Sequence, residues 1–197
     1  MESSFLKLNN PGSAPMNTLP CLPFPEFRRT VIDAIRNNGW HVSSFFAMPE
    51  QNDGFRLIAV LTDDSDPSIR LSSTRVEKSY ASLTCDCAQF HWFEREIHEQ
   101  TGIVPEGHPW LKPIRFTAGN DGNHPGVTDY FTLHGSAAHE VAVGPVHAGV
   151  IEPGHFRFQC MGEDVYSLEI SLGYQHRGIE NMLRGGPGQR TLHVMET

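Results

Sequence analysis

Apolar residues recur every four positions at Phe27, Val31 and Ile35, with Pro25 near the first turn and Gly39 beyond the last, which predicts a helix starting at Pro25. Alternating patterns then predict strands over Trp40–Ala47 and Phe55–Thr62, joined by the turn sequence QNDG (51–54), and a third over Ile69–Glu77. Phe90, Phe93 and Ile97 line one face of a second helix, Ala88–Thr101, which Gly102 can close. Residues 117–129 (TAGNDGNHPGVTD) are poor in apolar side chains and read as a linker. Beyond it the pattern gives short strands at Tyr130–Leu133 and Glu140–Val143. A hairpin then joins His155–Cys160 to Val165–Leu172 through MGED (161–164). Phe156, Phe158 and Cys160 share one face of its first strand, and Tyr166, Leu168, Ile170 and Leu172 one face of its second. A short helix is expected from about Arg177 to Leu183, before Gly185-Gly186-Pro187.

The Pro-, Asn- and Ser-rich opening, 1–24, reads as a flexible leader. It has no apolar core of the kind a secretory signal needs, and no run approaches the roughly 20 apolar residues that span a bilayer. A cytoplasmic location is the expectation. The net charge of −8, with dispersed basic residues, argues against nucleic-acid binding. Four cysteines, Cys21, Cys85, Cys87 and Cys160, form no disulfide framework by spacing, and Cys85-Asp86-Cys87 is too tight for an ordinary zinc knuckle. No phosphate-cradling glycine loop or nucleotide fingerprint occurs.

Two segments carry chemistry. In GPVHAGVIEPGHFRF (144–158), a Gly-Pro turn precedes His147, Glu152 lies in a loop, and His155 opens a strand. An acid and two imidazoles are proton-relaying groups near neutral pH. The plain alternative for Glu152 is a solvated loop acid beside a Pro-Gly turn. No third ligand is placed by spacing to make the histidines a zinc site. In LGYQHRGIENML (172–183), His176 and Arg177 precede the short helix, where an ordinary surface pair is the plain alternative. His91 and His98 fall near one face of the second helix, and Glu94, Arg95 and Glu96 read as a salt-bridge network anchoring that helix in an assembly.

The run SYASLTCDCAQFHWFEREIHEQTGIVPEGHPWLKPIRF (79–116) resembles the signature of the thirty-kilodalton-type subunit of complex I and its hydrogenase counterparts, through W-x-E-R-E-I, T-G-I and G-H-P-x-L. Gln100-Thr101 stands where that family has an acid and a bulky apolar residue. The segment 144–158 resembles the start of the large subunit of group 4 membrane-bound [NiFe] hydrogenases, the formate-hydrogenlyase type, where I-E-P-G-H matches R-I-E-G-H. His147 and His155 match the histidines of the G-P-x-H-P-x-x-H-G quinone loop of complex I, with wider spacing and Ala148 in place of proline.

These resemblances imply an α+β architecture. A mixed-sheet, complex I thirty-kilodalton-like domain spans 25–116, and 130–197 is the β-rich start of a large-subunit (forty-nine-kilodalton-like) domain, truncated before the metal-binding cysteines. They imply proton transfer at Glu152 with His147 and His155, and Arg177 and His176 near an iron–sulfur cluster held by a partner small subunit. They also imply peripheral placement on the cytoplasmic face of the inner membrane, touching membrane proteins only indirectly. The NiFe centre belongs to the parent family; no metal or cofactor is expected on this chain, which alone is expected to be inactive. A quinone-reducing subunit of NADH-quinone oxidoreductase and a non-catalytic docking fragment are the alternatives.

Overall fold

The computed structural model describes residues 4–9, 11–50, 54–115, 130–186 and 188–196. The chain divides into two compact units, Met1–Thr117 and Ala118–Thr197.

In the first unit, strands β1 (Leu6–Asn9), β2 (Cys21–Leu22), β3 (His41–Pro49), β4 (Phe55–Asp63) and β5 (Asp66–Val76) form one mixed sheet. Its order is β1-β5-β4-β3, antiparallel throughout, and β2 adds a parallel pairing with β5. Helix α1 (Phe24–Asn38) starts with proline in its first turn and stops where Gly39 takes φ 70°, the left-handed conformation glycine tolerates. Its Phe27, Val31, Ala34 and Ile35 bury against Leu57, Ala59 and Leu61, alternate residues on one face of β4. Phe45 of β3 joins the layers: its ring lies 6.4 Å from Phe27 and 5.1 Å from Phe90. A single 3-10 turn, Ala88–Phe90, leads into α2 (His91–Thr101), which ends at Gly102 with φ 76°. A parallel pair that the apolar pattern does not predict, β6 (Ser79–Ala81) with β7 (Val104–Glu106), closes the unit.

The expected flexible leader is corrected at both ends. Leu6 and Leu8 face Leu71 and Ile69 across β5, while Cys21 and Leu22 pair with Ser73 and Thr74. Between them, the buried Arg56 donates to the Leu19 carbonyl at 2.8 Å, and Ser73 gives its amide and hydroxyl to the Pro20 carbonyl at 3.0 and 2.6 Å. Proline lacks an N–H but keeps an acceptor, so a Pro-rich strap can be fixed from outside. The QNDG turn is 51–54, of which 51–53 lie outside the described residues; its base is closed by Glu50 N–H to Gly54 O, 2.8 Å.

In the second unit, β8 (Ala138–Val143), β9 (His155–Met161) and β10 (Asp164–Ser171) form an antiparallel sheet in the order β10-β9-β8. Tyr130–Leu133 is not a strand. The amides of Phe131 and Leu133 instead donate to the side chains of Glu169 and Gln159, both buried on the polar face of the sheet. A bulge between Val165 and Ser167 puts Val165, rather than Tyr166, opposite Cys160. The expected helix 177–183 shrinks to α3 (Ile179–Met182), after Gly178 at φ 67°, and a further short helix, α4 (Thr191–Glu196), follows.

Candidate functional site

The loop between β8 and β9 is built around His147. Val150 N–H reaches His147 O at 3.0 Å across Ala148 (φ 54°) and Gly149 (φ 73°), the two positive dihedrals of a type I′ turn. Gly154 N–H then bonds Pro145 O at 3.1 Å, and His147 Nε2 meets Gly154 O at 2.8 Å. Gly154 packs closely: a Cβ there would come within 3.1 Å of Leu172 Cδ2, so that side chain would have to shift slightly. The loop thus closes on itself while displaying Val146, Val150, Ile151 and Glu152 to solvent. No apolar pocket surrounds Glu152 among the described residues; its carboxylate is exposed.

The two histidines do not converge. The His147 ring packs edge-on against Phe156 at 5.6 Å. His155 precedes Phe156 on β9, so its side chain lies on the opposite face, with its Nδ1 buried and lacking a hydrogen-bond partner among the described residues. That second face is polar. Arg157 stacks over Tyr130 at 3.9 Å and pairs with Glu140 at 2.8 Å, and Gln159 donates to Glu140 at 2.6 Å. Burial, and then the nearby Tyr130, push the Tyr174 phenol upward. His176 and Arg177 are exposed in the turn that follows, closed by His176 N–H to Gly173 O at 3.0 Å.

The first unit holds an inward-facing network where the sequence pattern suggests an outward-facing set of ion pairs. Glu94 is fully buried and accepts from Ser82 Oγ, Leu83 N–H, Thr84 N–H and Thr84 Oγ1 at 2.6–3.1 Å. Tyr80 beside it is pushed well above the normal phenol range by burial and then by the Glu94 charge. Arg95, stacked on Trp92, gives two hydrogen bonds to the carbonyls of Lys112 and Pro113, at 2.7 and 3.0 Å. Glu99 receives the amides of Ile114 and Arg115, and Glu96 pairs with Arg115 at 2.7 Å. His108 Nδ1 accepts the Trp110 amide at 3.0 Å, so the Nε2–H of the same ring faces His91 O at 3.2 Å. W-x-E-R-E-I and G-H-P-x-L are therefore two halves of one fastening, helix to strap. Asp86, which the sequence does not single out as a site residue, pairs with both Arg28 and Arg36 of α1.

Metal ligands do not assemble. No group of three His, Cys, Asp or Glu is placed to hold an ion among the described residues. Cys21 and Cys85 are exposed, Cys87 and Cys160 buried, and Cys85 Sγ contacts Gly107 O at 2.9 Å. An open cleft of about 1080 Å³ in the first unit is bordered by Met16, Met48, Phe55 and Arg75, none of them a candidate site residue. No described helix is long and apolar enough to cross a membrane.

A family model described as the respiratory-chain NADH dehydrogenase, 30 Kd subunit, matches residues 25–133. Among curated relatives, formate hydrogenlyase subunit 5 of Escherichia coli is 27% identical over 135 residues, covering 58% of this chain and 24% of its own. Hydrogenase-4 component G of the same organism is 30% identical over 124 residues, 53% of this chain and 22% of its own. The C/D subunit of NADH-quinone oxidoreductase from Nitrosospira multiformis is 24% identical over 152 residues, 60% and 25%. The chain spans about a quarter of the length of these relatives.

Proposed function

The chain belongs to the respiratory-chain NADH dehydrogenase 30 Kd subunit family, and from that premise we propose that it is part of the large subunit of a membrane-associated [NiFe] hydrogenase. Such a protein reduces protons or oxidises H₂ and passes electrons through an iron–sulfur small subunit. The first unit acts as the docking domain. The loop 144–154 supplies Glu152 as a proton-transferring acid, and Arg177 with His176 faces the partner's cluster.

One observation carries hydrogenase over quinone reductase. Ala148 sits at φ 54°, a backbone that proline, fixed near −65°, cannot take. The proline-bearing quinone loop therefore cannot fold as this one does, and the replacement at 148 is a change of loop shape. The names of two of the relatives above, a formate hydrogenlyase subunit and a hydrogenase component, favour the same side.

The four cysteines do not fit a nickel site, since they are dispersed and form no ligand cluster among the described residues. No step is routed through a metal on this chain, which by itself binds no nickel. What its residues offer is a carboxylate able to accept and return one proton, at an exposed position that a covering subunit could reach. Tagged protein encoded by the full gene, purified in mild detergent with its companions, should carry an iron–sulfur subunit and reduce dye with H₂. Glu152→Gln should lower that rate by roughly 100-fold. Quinone reduction without hydrogen activity would favour the complex I reading, and neither activity a docking role.

A further inference from the structure

The loop that carries Glu152 is tied across its base by an imidazole as well as by backbone. A carbonyl oxygen can only accept, so the 2.8 Å contact between His147 Nε2 and Gly154 O requires the hydrogen on Nε2. The ring edge is braced by Phe156, and the flanking bonds, Val150 N–H to His147 O and Gly154 N–H to Pro145 O, all lie within the same closed segment. The Gly154 N–H to Pro145 O bond and the Val143–Phe156 pairing of β8 with β9 also join the two ends, and His147 adds a side-chain bond to the same glycine. The loop gains little from burial, because Val146, Val150 and Ile151 all face outward.

We infer that His147 is a positioning residue: it clasps 145–154 and so fixes where Glu152 is presented. The functional half of this inference rests on Glu152 being the proton-transferring acid; the clasp itself does not. The Nε2 hydrogen of His147 is committed to Gly154, which leaves Nδ1 as the ring atom able to take up a proton. Protonation would add a hydrogen at Nδ1 without releasing the first, so the clasp holds in both charge states. His155, on the other face of β9, cannot take its place. A glutamine at 147 could offer an amide N–H to the same carbonyl, whereas phenylalanine keeps the ring contact and loses the donor.

The test uses the 197-residue chain, wild type and two variants, with nitrogen-detected histidine NMR and amide hydrogen exchange. The wild type should show His147 as the Nε2–H tautomer. His147→Phe should speed exchange at Val150 and Gly154 by roughly fivefold, the worth of one ordinary hydrogen bond, and His147→Gln should restore most of the protection. Glu152→Gln should leave both amides unchanged. An Nδ1–H tautomer in the wild type would overturn the inference even if a variant failed to fold. So would unaltered exchange in His147→Phe, or a His147→Gln that behaves like it. If the parent protein had no hydrogen activity these rates would not move, so the two readings fail separately.

Discussion

Glu94 grips Thr84 twice: the same Oε2 accepts the Thr84 amide at 3.1 Å and its hydroxyl at 2.6 Å, in full burial. Ser82 Oγ shares that oxygen. Glu94→Gln puts an NH₂ where three hydrogens already point, or turns the amide and strands Leu83 N–H instead. A loss of about 3 kcal/mol is expected from two spoiled buried bonds. Urea unfolding followed by tryptophan fluorescence measures it, and an unchanged midpoint would contradict the assignment.

Ala148 occupies a left-handed backbone that costs an L-residue about 1 kcal/mol. Ala148→Asn should recover part of that cost, since asparagine suits the first central position of a type I′ turn. Ala148→Pro should break the turn and expose the amides of Val150 and Gly154 to rapid exchange. Equal exchange in the proline variant would remove the argument that separates this loop from the quinone loop.

Acid should weaken the first unit in two stages. Burial lowers the His91 and His108 imidazoles from 6.5, with Arg95 adding to the effect on both. A histidine depressed in the folded state contributes fully above 6.5 and costs stability as pH falls below it, because the unfolded chain takes up the proton first. Asp66 is lowered from 3.8 by hydrogen bonds from Lys7 and then Ser68, so its contribution holds above 3.8 and is lost in stronger acid. Urea midpoints should fall between pH 7.5 and 5.5, and His108→Gln should flatten that first limb. A midpoint constant over this range would rule the first stage out.

The β8–β10 sheet turns an apolar face outward: Val141, Val143, Leu168 and Ile170 are all exposed and flank the half-buried Phe156 and Phe158. A surface of this kind promotes association of the isolated chain. Val143→Lys with Ile170→Lys should lower the apparent mass in sedimentation without lowering the unfolding midpoint. Unchanged association would place the sticky surface elsewhere.

The local features were legible. Four-residue spacing found α1 and α2, their glycine stops lie where expected, and β9–β10 emerged from simple alternation. Non-local pairing was not. β1 and β2 are four and two residues long, and their partner lies far along the chain, so nothing nearby marks them as strands. Tyr130–Leu133 alternates like a strand, but its amides go to side chains, which a pattern of apolar positions cannot show. At the site, the resemblance singled out His147 and His155. It could not reveal that one clasps the loop while the other faces away, because that depends on strand alternation after Gly154. The acids of α2 were visible as charges, yet the burial of Glu94 follows from where residues 82–84 meet the helix, and the partners of Glu96 and Glu99 from where 114–115 passes it.

The pairing of β1 with β5 also sets a schedule for synthesis. Leu8 leaves the ribosome about 60 residues before its partner Ile69, an interval of roughly 3–12 s at ordinary elongation rates. Throughout that time two leucines and an unpaired edge travel ahead of the growing chain with nowhere to settle. The first-made strand of this sheet waits for the last, β5, which keeps a nascent-chain chaperone's window open while α1, β3 and β4 are being made.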